Sequence, residues 1–271
     1  MANSISLHIG LNKIDKKHYG SEYPLQGCIS DANDMLAIAK QKKYTESYLL
    51  VNEQGTYEHV VKHLADAARK LKKGDTLFIS YSGHGSYVPD NNKDETDGYD
   101  ETWCLYDRMI IDDELAVCWT KFKTGVKILM VSDSCHSGTV SRAFQFNENA
   151  PDPAGDKRSK LLKNGPAIYK KNKAVYKKTE PSKKNMAQTD DIKTTVILLS
   201  GCQDNQTSLD GARNGLFTEK LLKVYNNGKF TGNYAGLLAK ILKLMPSDQT
   251  PHYTLIGKKN PGFEHSKPFS L

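Results

Sequence analysis

Thr76-Leu77-Phe78-Ile79-Ser80 runs straight into Tyr81-Ser82-Gly83-His84-Gly85. Further on, Val126-Lys127-Ile128-Leu129-Met130-Val131 is followed by Asp133-Ser134-Cys135-His136-Ser137-Gly138. Short, near-continuous apolar runs closed by polar, glycine-containing turns read as strands of a parallel sheet buried on both faces. Thr195-Val196-Ile197-Leu198-Leu199-Ser200 repeats the pattern ahead of Gly201-Cys202-Gln203-Asp204. A His and a Cys at the ends of neighbouring strands can meet in space, as a thiolate nucleophile and its base require.

The flanking sequence supplies the other layers. Residues 5–11 and 47–51 read as strands. Residues 31–42 carry Ala32, Met35, Leu36 and Ala39 at helical spacing, and 57–71 carry Val60, Val61, Leu64, Ala67, Ala68 and Leu71 on one face. Two more helices, over 216–225 and 234–244, precede a last strand at 252–256. Strands alternating with helices predict an α/β fold: a three-layer sandwich with a mostly parallel six-stranded sheet covered on both faces. Sites in such sheets form beyond the carboxyl ends of the strands.

The 271 residues hold five cysteines, widely spaced and without a C-x-x-C pair, which fits a reducing, cytoplasmic setting. No apolar run approaches the ~20 residues of a membrane span. Residues 5–11 alternate like a strand, so no signal peptide is expected. The net charge of +7 is uneven. Residues 155–184 hold eleven Lys or Arg against Asp156 and Glu180, a net +9 that leaves −2 for the rest. A solvated, flexible loop is the expectation for this stretch. Nucleic-acid binding is the alternative, weakened by only two interleaved aromatics, Tyr169 and Tyr176.

The segments "YSGHG" and "DSCHSG", with "GCISDA" upstream and "SGCQDNQTS" downstream, resemble the caspase-like cysteine peptidases, in particular the metacaspase and orthocaspase branch. The resemblance runs over about residues 5–256. It implies the caspase-hemoglobinase fold, a Cys/His dyad and cleavage after Arg or Lys. It also implies one peptidase domain over 1–271. Residues 1–144 match the large half, 193–271 the small half, and 145–192 form the linker where processing occurs.

Cys135 is the candidate nucleophile. The polar neighbours Asp133, Ser134, His136 and Ser137 argue against a buried inert thiol. His84, between two glycines, is the candidate base. His136 is the rival, but on an extended segment it points away from Cys135. The backbone N–H groups of Gly85 and Cys135 are candidate oxyanion donors. No third triad residue is readable. The resemblance assigns Asp31, Asp133 and Ser82 to a pocket selecting a guanidinium or ammonium group. Asp204, just after the strand at 195–200, is a candidate for its border. The alternatives are a helix N-cap for Asp31 and a turn residue for Asp133.

Calcium is the one candidate cofactor, and none is needed for the chemistry. By resemblance it would be held by Asp112 and Asp113, with Asp100 as a third ligand. The chain departs from the family where an acidic residue should follow "CHSG": Thr139, Val140, Ser141 and Arg142 stand there. A solvated acidic loop is the alternative. The expected partners are protein or peptide substrates with Arg or Lys before the scissile bond, not nucleic acid or membrane, and a monomer is favoured. The expected function is a cysteine endopeptidase that also cuts itself within residues 157–184. The rivals are a catalytically silent scaffold and a nucleic-acid-associated protein.

Overall fold

Alternation along the central strands decides the layering. The computed structural model describes residues 3–91, 98–134, 159–179, 181, 191–202 and 208–271. Its first half contains β1 (Ser4–Gly10), α1 (Lys16–Tyr19), α2 (Cys28–Gln41), β2 (Glu46–Val51), α3 (Tyr57–Lys70), β3 (Thr76–Ser82), β4 (Gly85–Pro89), β5 (Tyr99–Cys104), β6 (Met109–Ile111), α4 (Asp112–Thr120) and β7 (Lys127–Asp133). Then come α5 (Gly165–Lys171), α6 (Lys173–Tyr176), β8 (Thr195–Ser200), α7 (Leu216–Tyr225), α8 (Tyr234–Leu242), β9 (His252–Gly257) and α9 (Pro261–Glu264).

Six strands form one sheet in the order β2-β1-β3-β7-β8-β9, and β4-β5-β6 form a small antiparallel sheet. In the large sheet only the β8–β9 pairing is antiparallel. Leu77, Ile79 and Tyr81 of β3 and Ile128 and Met130 of β7 belong to one core; Phe78, Leu129 and Val131 belong to the other. Both faces are buried, so neither strand shows a polar alternation. Val60, Leu64, Leu115 and Trp119 from α3 and α4 cover the first face. Met35, Phe217, Leu237 and Ile241 from α2, α7 and α8 cover the second. The three-layer α/β sandwich expected from the sequence is the fold. Emptying one core position, as in Phe78→Ala, costs about 3–5 kcal/mol.

Two expectations are corrected. The first concerns α2, which begins at Cys28 with Gly27 as its N-cap, so Asp31 lies inside the helix and does not cap it. The first-turn N–H of Ile29 is taken by Asn12 Oδ1 at 3.1 Å, and Asp210 holds the entering chain from a distant loop, its carboxylate accepting the N–H groups of Gly27 at 3.0 Å and Gln26 at 2.6 Å. That leaves the Asp31 side chain for other partners. The helix start is pressed onto the end of β1, where a Cβ on Gly10 would strike the Cys28 carbonyl.

The second concerns the basic stretch, which is not a solvated loop over residues 159–179. Ser159 and Leu161 make isolated bridges to Leu209 and Gly85. Leu162, Ile168, Tyr169 and Tyr176 pack with Ile14, Val88 and Met109 in a core of their own. Lys163, Lys170, Lys171, Lys173, Lys177 and Lys178 lie at least partly exposed, while Lys160 is buried. The segment is amphipathic, and the lysines occupy its outer face. Among the described residues, no helix is long and apolar enough to cross a membrane.

Candidate active site

The carboxyl ends of the central strands lie level. Gly10 pairs with Ser82, and Ser82 pairs with Asp133. The chain turns after Ser82 because Gly83 leaves room for the Tyr81 ring, whose hydroxyl would collide with a Cβ there. That hydroxyl donates between the carbonyls of His84, at 2.7 Å, and Cys104, at 2.9 Å. The Tyr81 ring stacks on Trp103 at 4.5 Å, and the Cys104 N–H donates to the His84 carbonyl at 2.9 Å. His84 is therefore fixed through its own backbone.

Its ring is oriented by a backbone group as well. Nε2 lies 2.8 Å from the carbonyl of Tyr23, a residue with φ of 42°. A carbonyl only accepts, so Nε2 carries the hydrogen and Nδ1 carries the lone pair. Nδ1 is buried and has no hydrogen-bond partner among the described residues. Burial pulls the His84 pKa below its ordinary 6.5, against the opposing pull of the Tyr23 and Lys160 backbone groups. The imidazole is a neutral base at neutral pH.

Cys135, His136 and Asp204 lie outside the described residues. The approach to Cys135 is held up to Ser134. Its hydroxyl meets that of Ser132 at 2.9 Å, the Trp103 indole N–H donates to Ser132 at 3.1 Å, and the Cys202 thiol donates to the Ser134 carbonyl at 3.4 Å. The other four cysteines are free and buried. Burial pushes the Cys28 thiol up to about 12, Cys118 up to about 11 and Cys104 higher still. Those three are protonated at neutral pH and are poor nucleophiles.

Asp31, Ser82 and Asp133 do converge, and the group they surround is Lys160 of the same chain. Its side chain is 0% exposed. The ammonium lies 3.0 Å from Asp133 Oδ1, 3.0 Å from Ser82 Oγ, 3.1 Å from the Asp133 carbonyl and 3.4 Å from Asp31 Oδ2. Each carboxylate is also held from behind. Ser208 donates to Asp133 at 2.7 Å, and Thr218 donates through N–H at 3.0 Å and hydroxyl at 2.8 Å. Ser82 donates to Asp31 at 2.6 Å, Asn214 at 2.9 Å and the Gly215 N–H at 3.0 Å. Gly215 forms the floor, where a Cβ would run into Lys160 Nζ and Asp133.

The electrostatics match a cation site. Burial lifts Asp31 to about 6, with Lys160 acting against it. Burial also pushes Asp133 up, but Lys160 and the donors from Ser208 and Thr218 prevail and hold it below its ordinary value. Burial opposes the charge on Lys160, yet Asp133, with Cys28 and Asp31 behind it, keeps its pKa well above the usual lysine value. The backbone of Lys160 is docked too. Its carbonyl accepts the Gly85 N–H at 2.9 Å, and its N–H donates to the Ser208 carbonyl at 3.0 Å.

Sequence reasoning missed Lys160, Ser208, Asn214, Gly215 and Thr218. Lys160 was one of eleven basic residues between 157 and 184, without a mark of its own. Ser208, Asn214 and Gly215 precede α7, and Thr218 lies in its first turn, where nothing in the helical spacing marks it. The acidic candidates are only partly gathered. Asp100 lies on β5, and Asp112 and Asp113 open α4. Burial, then the charges of Glu101, Asp100 and Asp113, hold the Asp112 carboxyl well above the usual range. Yet no group of three His, Cys, Asp or Glu side chains among the described residues is arranged to hold a metal. Among the described residues, like charges are crowded around Asp112.

Residues 9–270 match the family described as Caspase domain, Peptidase_C14. Metacaspase-1 of Arabidopsis thaliana is 32% identical over 228 residues, covering 78% of this chain and 54% of that protein. Metacaspase-1 of Schizosaccharomyces pombe is 30% identical over 248 residues, covering 80% and 57%. The chain spans a little over half the length of the curated relatives it matches. The solved structure of protein GSU0716 from Geobacter sulfurreducens superposes with a TM-score of 0.87 at 41% identity, over 99% of this chain and 98% of that one. Caspase-1 from Spodoptera frugiperda gives a TM-score of 0.55 at 10% identity, over 94% and 86%, a likeness of fold.

Proposed function

Because the chain belongs to the caspase-domain family of peptidases, we propose that it is a cysteine endopeptidase that cuts after Lys or Arg, and that its own bond between Lys160 and Leu161 is a substrate. The buried Lys160 carries this reading. Its ammonium fills a pocket of two carboxylates while its carbonyl sits on the Gly85 N–H. A residue before a scissile bond is held in this way: side chain in a specificity pocket, carbonyl oxygen on a donor that strengthens as charge develops.

The chemistry is acyl transfer. His84 Nδ1 takes the proton of the Cys135 thiol. The sulfur adds to the Lys160 carbonyl, and the Gly85 N–H supports the oxyanion. The C–N bond breaks, and the nitrogen of Leu161 leaves with the proton held by His84. Water then releases Lys160 as a carboxylate. The Tyr23 carbonyl serves as the third member of the constellation, because it fixes which nitrogen of His84 is basic. Arg fits the same two carboxylates through its planar fork.

Incubated wild-type protein should split into pieces of roughly 18 and 12 kDa, their shares of the 30.3 kDa chain. The smaller piece should begin at Leu161, and Cys135→Ala should stay whole. Small reporters ending in Arg or Lys should be hydrolysed and an Asp-ending one left alone. Hydrolysis of the Asp reporter in preference would overturn the acidic-pocket reading.

A further inference from the structure

The chain beyond the scissile bond is held as firmly as Lys160. The Leu162 N–H donates to the Gly85 carbonyl at 2.9 Å, and the Leu162 carbonyl accepts from Ser86 Oγ at 2.5 Å. The Leu162 side chain is buried in the core that contains Val88 and Met109. Gly165 lies so close to Ser86 and the Tyr87 carbonyl that a Cβ would collide with them. At the far end Tyr176 is fully buried, bonds His18 at 2.8 Å and lies 4.7 Å from the Arg108 guanidinium. Residues 161–179 thus form a strap anchored at both ends, and none of these anchors involves Lys160. On the other side, Lys160 is held by Ser208 and by the acidic pocket. Gly85 holds both sides of the bond, through its N–H and its carbonyl, and each side has further anchors of its own.

Resting on the function proposed above, we propose that this cut is reversible: the strap keeps the released Leu161 amine at the acyl-enzyme and hands it back. In the forward step the C–N bond breaks and a thioester forms between Cys135 and Lys160. In the return step the lone pair of the Leu161 amine adds to the thioester carbonyl. A proton passes from that nitrogen to His84, the C–S bond breaks, and peptide and thiol are restored. Atoms and electrons balance without a further reagent. The leaving peptide of a foreign substrate diffuses away. Here the bonds to Gly85 and Ser86 survive the cut and retain the amine. A well-oriented nucleophile in the same molecule can act as if present at ~10⁵ M or more, so it competes strongly with water. Acylation of Lys160 is then frequent and net cleavage slow.

A small soluble amine separates the alternatives in the full-length chain. Glycinamide competes for the thioester, and the loss of intact chain is followed on denaturing gels. Mass spectrometry reads the new carboxyl end. With resealing dominant, glycinamide should speed the loss of intact chain several-fold and leave Lys160 capped by glycinamide. Leu162→Ala, which loosens the first anchor, should be cut faster without glycinamide and gain little from it, with thermal denaturation verifying its fold. An unchanged rate of loss, with glycinamide found on Lys160, means acylation is already irreversible and overturns the proposal while the peptidase reading stands. A chain that stays intact in glycinamide yet hydrolyses an Arg reporter overturns the proposal together with self-cleavage at Lys160, while the peptidase reading stands. Absence of both self-cleavage and reporter hydrolysis overturns the two together.

Discussion

Replacing Lys160 by Ala should have opposite effects on stability and on access to the pocket. The substitution removes the cation from between Asp31 and Asp133, both 1% exposed. Removing one partner of a buried ion pair costs about 3–5 kcal/mol, because the partner charge is left uncompensated. For a chain of this size ~1 kcal/mol moves the melting temperature by about 2–4 °C, so a fall of several degrees is expected even if water enters. The same 3–5 kcal/mol, lost from the transition state of self-cleavage, slows the cut at residue 160 by roughly two to four orders of magnitude. The vacated pocket, however, is open, and hydrolysis of an Arg reporter by the intact variant should rise above that of intact wild type. Benzamidine, a small planar cation, should restore the melting temperature of the variant and leave intact wild type nearly unmoved. Scanning calorimetry with and without benzamidine, together with a gel time course, tests all three expectations. A variant as stable as wild type, indifferent to benzamidine and cut after residue 160 at the wild-type rate, would refute the account of the pocket.

His84→Ala should abolish reporter hydrolysis with the fold kept, losing several orders of magnitude in kcat/KM, since dyad members act as a unit; stopped assays at high enzyme concentration would measure it. Because burial lowers the His84 pKa below 6.5, the acid limb of the pH–rate profile should fall below pH 6.5, not above it. Asp112→Asn should raise the melting temperature at neutral pH. A carboxyl whose folded pKa is raised contributes its stability below the unfolded value and loses it as pH rises, so the gain should vanish near pH 4. Calcium that raises the melting temperature of wild type but not of Asp112→Asn would assign a cation to that cluster. Burial lowers His8 to about 3 from 6.5. Only the unfolded chain takes up that proton between these values, so stability should drop by about 1.4 kcal/mol per pH unit as pH falls through them. Urea titrations of wild type and His8→Asn from pH 6.5 to 4.5 would reveal the difference in slope.

The layers of the fold were legible because buried parallel strands leave an unmistakable mark. Thr76–Ser80 and Thr195–Ser200 have apolar interiors, and the structure extends or keeps both as strands. The convergence of Asp31, Ser82 and Asp133 was legible only through resemblance, since nothing in their spacing brings residues 31 and 133 together. The N-cap reading for Asp31 failed because the helix starts three residues earlier, at Cys28, where Asn12 from the loop after β1 accepts the first-turn N–H of Ile29. The basic stretch was misread for a related reason. Counting charge hid Leu162, Ile168, Tyr169 and Tyr176, which recur on one side of the lysines and bury the segment. A buried lysine and an exposed one have the same letter, and only the tertiary fold distinguishes Lys160 from Lys163.

The pocket draws its parts from far along the chain. Asp31, Ser82 and Asp133 come first, but Ser208, Gly215 and Thr218, which hold the two carboxylates, follow Cys135 by many residues, and Gln249 in turn donates to Ser208 at 3.1 Å. A ribosome delivers these pieces in order, at roughly 5–20 residues per second. For several seconds the growing chain carries its thiol and imidazole with no place to seat a lysine. On the proposed function, competence therefore arrives late in synthesis, when the clamp around Asp133 closes, and a chain truncated before residue 208 should be inactive on Arg reporters although it contains Cys135 and His84.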